Sequence, residues 1–212
     1  MKLQHPFSLL LSGPSGSGKT VFTLKLIESC RTTIDPPIDR VTYVFQQDQD
    51  AFKSVAQRSP VPVSFVNSLD DVVPPRHERL LLVVDDFMND PAVEEIVANY
   101  FIKNCHHQNV SVCYMVQNLF HKSRFQRTIS LNASYIYLGK NPRAGLSNVV
   151  SLGMQMYPGR TNFLKECYLD ATRRPFGYLF LDLKQITEED LRVRTNVLDP
   201  VQQIVYVMKK KP

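Results

Sequence analysis

Residues 13–20 read Gly13-Pro14-Ser15-Gly16-Ser17-Gly18-Lys19-Thr20, a complete G-x-x-x-x-G-K-[ST] pattern. An apolar run carrying Phe7, Leu9, Leu10 and Leu11 precedes it, and Val21, Leu24, Leu26 and Ile27 follow at helical spacing. Strand, glycine-rich turn and helix N-terminus, in that order, make a phosphate-binding loop. The glycines let backbone N–H groups turn toward an anion, and the helix aims its positive end at the same point. Lys19 would reach the β- and γ-phosphates, and the Thr20 hydroxyl would take one position on Mg²⁺. The chain is expected to bind a nucleoside triphosphate, with ATP and Mg²⁺ as its cofactors.

Composition sets the frame around that loop. At 212 residues the chain has room for one α/β domain with a sizeable core. Its 43% apolar and 21% charged content are those of an ordinary globule. A net charge of +5 and a pI of about 9.0 suit a polyanionic partner. Cys30, Cys105, Cys113 and Cys167 form no C-x-x-C pair and no metal-ligand spacing, so they are expected to stay reduced in an intracellular compartment. No apolar run approaches the roughly 20 residues of a membrane helix. The short apolar stretch at 7–11 runs straight into the loop, which argues against a signal peptide and against secretion. The expected organisation is a single P-loop ATPase domain over 1–212, with a flexible basic tail at 208–212.

Strand and helix patterns alternate along the chain. Buried strands are expected at 41–45, 80–84, 110–116, 134–138 and 178–183, an edge strand at 61–66, and a last strand at 201–207. The run Leu80-Leu81-Leu82-Val83-Val84 is the most apolar, as in a parallel sheet covered on both faces. Helices are expected at 50–58, after Pro91, and as a pair within 144–171 broken at Pro158-Gly159; 32–37 reads as a turn. This is an α/β pattern, a mainly parallel sheet flanked by helices.

Asp85-Asp86 closes the 80–84 strand. In a phosphate-loop NTPase an acid at such a tip holds Mg²⁺, the role given to Asp85. Asp86 would orient or deprotonate the attacking water. The strand at 41–45 separates the loop helix from the Asp85 strand along the chain. That fits the division of P-loop NTPases with an additional strand between the loop strand and the metal-acid strand. In that division the next strand often ends in a polar residue at the γ-phosphate, and here 110–116 ends at Gln117-Asn118. Gln117 would be the γ-phosphate sensor or the residue that positions the water. The basic segment His121-Lys122-Ser123-Arg124-Phe125-Gln126-Arg127 has three uses open to it. It would supply an arginine finger to a neighbouring subunit, contact DNA phosphates, or simply stand in solvent. Arg127 is the candidate finger. His106-His107 is read as an exposed helix end, not a metal site.

Four stretches carry a family resemblance: HPFSLLLSGPSGSGKT at 5–20, LLVVDDFM at 81–88, HHQNVSVCYMVQNL at 106–119 and RTISLNASYIYLGKNP at 127–142. The segments QMYPG at 155–159 and GYLFLD at 177–182 add to it. The sequence resembles the genome-packaging ATPases of the FtsK/HerA superfamily. Within it, the likeness is to the poxvirus-type packaging ATPases of large double-stranded DNA viruses, and most of all to those of Polinton/Maverick elements and adintoviruses. The resemblance implies a RecA-like core and a homo-oligomeric, hexameric ring around double-stranded DNA. It also implies a capsid or portal partner, no membrane, and action inside a host cell at a nuclear or cytoplasmic assembly site, with association with the virion. By position it matches Lys19 and Thr20 to the family's loop, Asp85 and Asp86 to its acids, and Gln117 to its sensor. Many members carry glutamate where this chain has Asp86, which is one methylene shorter.

Other classes share the loop. A monomeric nucleotide or small-molecule kinase needs an arginine-rich lid, which 122–127 would imitate. Two successive acids and Gln117 favour water activation instead. A GTP switch needs an N-K-x-D base-reading motif, and Lys140-Asn141-Pro142 is not one. A DNA helicase of related fold differs from a packaging motor by strand separation.

Overall fold

A computed structural model describes residues 1–46, 50–73, 75, 77–85, 87, 90–120, 122–143 and 145–209. The chain opens with β1 (Leu3–Gln4) and β2 (Ser8–Ser12), then the phosphate loop and α1 (Lys19–Glu28). Next come α2 (Cys30–Thr33), β3 (Ile34–Asp35), β4 (Arg40–Val44), α3 (Asp50–Arg58), β5 (Val63–Val66) and β6 (Leu80–Asp85). Helix α4 (Pro91–Asn99) passes through a π-helical turn, Tyr100–Asn104, into α5 (Cys105–Gln108) and then β7 (Val110–Val116). The chain continues with α6 (Gln126–Leu131), β8 (Tyr135–Gly139), α7 (Gly145–Met156) and α8 (Thr161–Ala171). It ends in β9 (Tyr178–Asp182), β10 (Val193–Thr195) and β11 (Ile204–Val205).

Among the described residues one sheet has the order β11-β10-β9-β8-β2-β7-β6-β4-β5. From β8 to β5 every neighbouring pair is parallel, while β9, β10 and β11 extend the sheet antiparallel. Strand alternation sends neighbouring side chains to opposite faces. Leu10, Leu80, Leu82, Val84 and Val112 pack with Val97, Leu152 and Leu164, so α4, α7 and α8 cover one face. Leu9, Leu11, Leu81, Val83 and Cys113 pack with Leu26, Ile27, Phe52 and Val55, so α1 and α3 cover the other. Each such side chain, fully buried, contributes about 1.5–3 kcal/mol. Helix α4 starts where the sequence says: Pro91 fills the first position, and the Asp90 carboxylate accepts from Ala92 N at 3.0 Å and Val93 N at 3.3 Å.

The strand expected at 41–45 is β4, but it does not lie between the loop strand and the Asp85 strand. In space that place belongs to β7, and β4 sits on the far side of β6. A parallel crossover can step over a neighbour, so order along the chain does not give order in the sheet. Residues 32–37, expected as a turn, hold the end of α2 and β3, whose partner is the distant β1 in a separate two-stranded sheet. The 122–127 stretch is not wholly a loop. Ser123 Oγ accepts from Phe125 N at 3.3 Å and Gln126 N at 3.0 Å, and α6 begins at Gln126. At the C-terminus Met208 packs on the core and the Lys209 carbonyl accepts from Arg160 Nη1 at 3.1 Å; residues 210–212 lie outside the described residues. All four cysteines are buried and unbridged. Among the described residues no helix is long and apolar enough to cross a membrane.

Gly177 lets the turn before β9 close over the end of α8. A Cβ there would overlap the Ala171 carbonyl oxygen and come within 3.0 Å of the Arg174 one. Both are backbone atoms with little freedom to yield. Gly177→Ala is expected to lower the melting midpoint by roughly 5 °C, the scale of a 1–3 kcal/mol overpacking cost in a chain of this size. Thermal denaturation followed by circular dichroism checks it.

Candidate nucleotide site

The loop leaves the sheet between two neighbours. Ser12 pairs with Val116 of β7 and with Leu138 of β8, and Gly13 N donates to the Val116 carbonyl at 3.2 Å. Gly16 (φ 75°) and Gly18 (φ 94°) take left-handed backbone, which turns the chain back to start α1. Tyr137 Oη donates to the Ser17 carbonyl at 3.2 Å and steadies the bend from β8. The Ser17 side chain fits between two glycines. A Cβ at Gly13 would stand 2.5 Å from its Oγ, and one at Gly139 3.0 Å from its Cβ.

A cavity of about 300 Å³ opens over this loop. Residues 15–21 floor it, and Phe45, Gln46, Asp85, Met115, Val116, Gln117 and Phe176 wall it. Lys19 stands within it, its Nζ donating to the Gly13 carbonyl and, at 3.2 Å, to the Pro14 carbonyl. The buried Ser17 Oγ has no hydrogen-bond partner among the described residues. Such a hydroxyl costs stability unless something accepts from it, and a phosphate oxygen is a suitable acceptor. Thr20 and Asp85 line the same cavity, and oxygen donors of this kind suit Mg²⁺. The residues present therefore fit a magnesium–triphosphate.

Asp85 ends β6 opposite Met115, and its Oδ2 accepts from Tyr43 Oη at 2.7 Å. Burial, then the Asp85 charge and that hydrogen bond, push the Tyr43 phenol far above its ordinary value. Tyr43 therefore stays protonated and acts as a donor throughout the working pH range. Gln117 follows β7 directly and is exposed to the cavity. The adjacent Asn118 Oδ1 accepts from Phe120 N at 3.2 Å and Asn148 Nδ2 at 2.9 Å, which ties the end of β7 to α7.

The structure thus brings together residues 15–20, Asp85 and Gln117, with Gly13 and Pro14 accepting from Lys19. Arg127 is not among them: it is exposed on α6, beside a groove with Leu131 and Leu152. Asp86 lies outside the described residues, as do the side chains of His106 and His107. Sequence reasoning missed Tyr43, Tyr137, Gly139 and Phe176. Tyr43 had a signal, a phenol in a strand expected to be buried, but its partner follows only from the β4–β6 register, in which Tyr43 faces Val83.

The fold is that of a P-loop NTPase with an additional-strand, RecA-like sheet: the loop strand β2 and the Asp85 strand β6 flank β7. The chain is similar in structure to the genome packaging NTPase B204 from Sulfolobus turreted icosahedral virus 2, solved in complex with ATP-gammaS. The two share a TM-score of 0.50 and 12% sequence identity over 90% of this chain and 96% of that one. No protein-family model matches the sequence, and no curated protein matches it.

Proposed function

We propose that this chain is an ATPase that works as a homo-oligomeric ring and drives double-stranded DNA into a preformed viral capsid. One observation carries the ATPase part. Three adjacent strands deliver the phosphate loop, Asp85 and Gln117 to a single cavity. The DNA and the ring come from the FtsK/HerA resemblance of the sequence. A genome packaging NTPase with the same fold is in keeping with them, though at 12% identity the likeness speaks for the fold alone. The proposed setting is a host cell's assembly site, with a capsid or portal component as partner and 1–212 as one ATPase domain.

Catalysis of this kind is mostly positioning and electrostatics. The loop N–H groups and Ser17 Oγ would grip phosphate oxygens, and the Lys19 ammonium would spread the charge that develops on the γ-phosphate. Thr20 and Asp85 would hold Mg²⁺, which supplies further positive charge against the phosphates. Asp86 would take the proton of the attacking water and Gln117 would set that water in line. Arg127, exposed and away from its own chain's cavity, suits a residue acting on a neighbouring copy's phosphate. Tyr43 acts through Asp85 by fixing one carboxylate oxygen.

Tyr43→Phe removes that hydroxyl and retains the ring, which packs on Phe52 at 4.9 Å and Phe65 at 5.7 Å between centroids. The half-saturating Mg²⁺ concentration for hydrolysis is expected to rise roughly tenfold, the scale for losing a partner of a metal ligand. ATP binding measured without Mg²⁺ should stay unchanged. An unaltered Mg²⁺ dependence would remove Tyr43 from this role.

The function itself is tested by steady-state ATP hydrolysis over a series of protein concentrations, with and without long double-stranded DNA. Turnover per chain that climbs with concentration and again with DNA is the expected result. Turnover indifferent to both would identify a self-contained enzyme, and phosphoryl acceptors would be screened next.

A further inference from the structure

We propose that the groove beside the phosphate loop seats the base and ribose of the bound nucleotide, with the Phe176 ring as the surface on which the base stacks. The proposal rests on the chain binding a nucleoside triphosphate at the loop. The groove has a volume of about 730 Å³, and it shares Gly18, Val21 and Phe176 with the phosphate cavity. Small-molecule sites are commonly about 300–1,000 Å³. A nucleotide with its phosphates on the loop extends its nucleoside over that shared rim.

The rim is built for an apolar, flat guest. Val21 is 52% exposed and Phe176 64%, two large apolar side chains kept out of the core at the same place. Phe176 also holds a backbone that bulky residues avoid, with φ 58°. The turn around it closes through Gly177 N, which donates to the Arg174 carbonyl at 3.1 Å. Such conformations persist where the surroundings impose them, and they gather at ligand sites. The consequence is specific: Phe176 stands against the first turn of α1, its Cβ 3.3 Å from where a Cβ on Gly18 would be. An aromatic face carried there stacks on a base without regard to the base's edge pattern. Asn196 lines the same groove and supplies polarity. Its amide makes no hydrogen bond among the described residues, so a donor and an acceptor are on hand for a base edge.

The experiment is calorimetric titration of the full chain with Mg²⁺-ATP and, separately, with Mg²⁺ and inorganic tripolyphosphate. The wild type should bind ATP more tightly than tripolyphosphate. Phe176→Ala should raise the Kd for ATP roughly tenfold, a typical loss of one base–aromatic stack, and leave that for tripolyphosphate unchanged. Phe176→Trp should restore ATP affinity. Equal losses for both ligands, or no loss for ATP, would overturn the base site while leaving triphosphate binding in place. A wild-type chain that bound neither ligand would overturn both.

Discussion

Lys19→Ala is expected to lower ATP hydrolysis by roughly 10³-fold or more, the range seen when a cation at the transferred phosphate is removed. The reason lies in where the ammonium stands. Its hydrogen bonds to the Gly13 and Pro14 carbonyls hold it at the mouth of the loop, within the cavity that Asp85 and Gln117 also reach. The side chain is only half-buried and its loss opens no hole in either core layer. The melting midpoint should therefore move little, and wild-type turnover in a folded variant would dismiss the loop as the hydrolytic site. Phosphate release and thermal denaturation on the same preparation give both readings.

Asp85→Asn is the second large effect. The amide oxygen can still accept from Tyr43 Oη, so the 2.7 Å contact and the β4–β6 register survive, while the negative charge is lost. A neutral ligand holds a divalent cation poorly, and Mg²⁺-supported hydrolysis should fall by roughly 10²–10³-fold. Affinity for ATP in the absence of Mg²⁺ should stay near wild type or rise. Asp86→Asn makes the contrast: it should keep Mg²⁺-dependent ATP binding and lose turnover. If both variants lost only Mg²⁺ binding, the division of labour between the two acids would be wrong.

Much of this was legible in the sequence, for a physical reason in each case. The phosphate loop is a local device whose glycines and helix start are contiguous, so eight successive residues define it. Helix α3 and strand β7 occur at 50–58 and 110–116 as their patterns require. What the sequence hid is lateral. That β7 intervenes between β2 and β6 is a property of crossovers. The Tyr43–Asp85 bond spans 42 residues and needs the register of two strands. Strand β10, at three residues, is too short to show a period, and β1 and β3 exist only through each other. Phe176 was hidden differently. Nothing in Arg174-Pro175-Phe176-Gly177 tells that this aromatic ring remains outside the core.

Strand β9 runs against β8, with Tyr178 opposite Gly139. The residues just before β9 therefore arrive at the same edge as the residues just after the parallel strands. Lys19, Asp85 and Gln117 follow or close parallel strands, whereas Phe176 precedes an antiparallel one. The two walls of the cavity thus descend from separate stretches of chain, anchored independently in the sheet. With Gly177 kept, the side chains of 173–176 can change without shifting the strand tips that carry Asp85 and Gln117. The wall that carries Phe176 and the wall that carries Asp85 and Gln117 are free to diverge at different rates under selection.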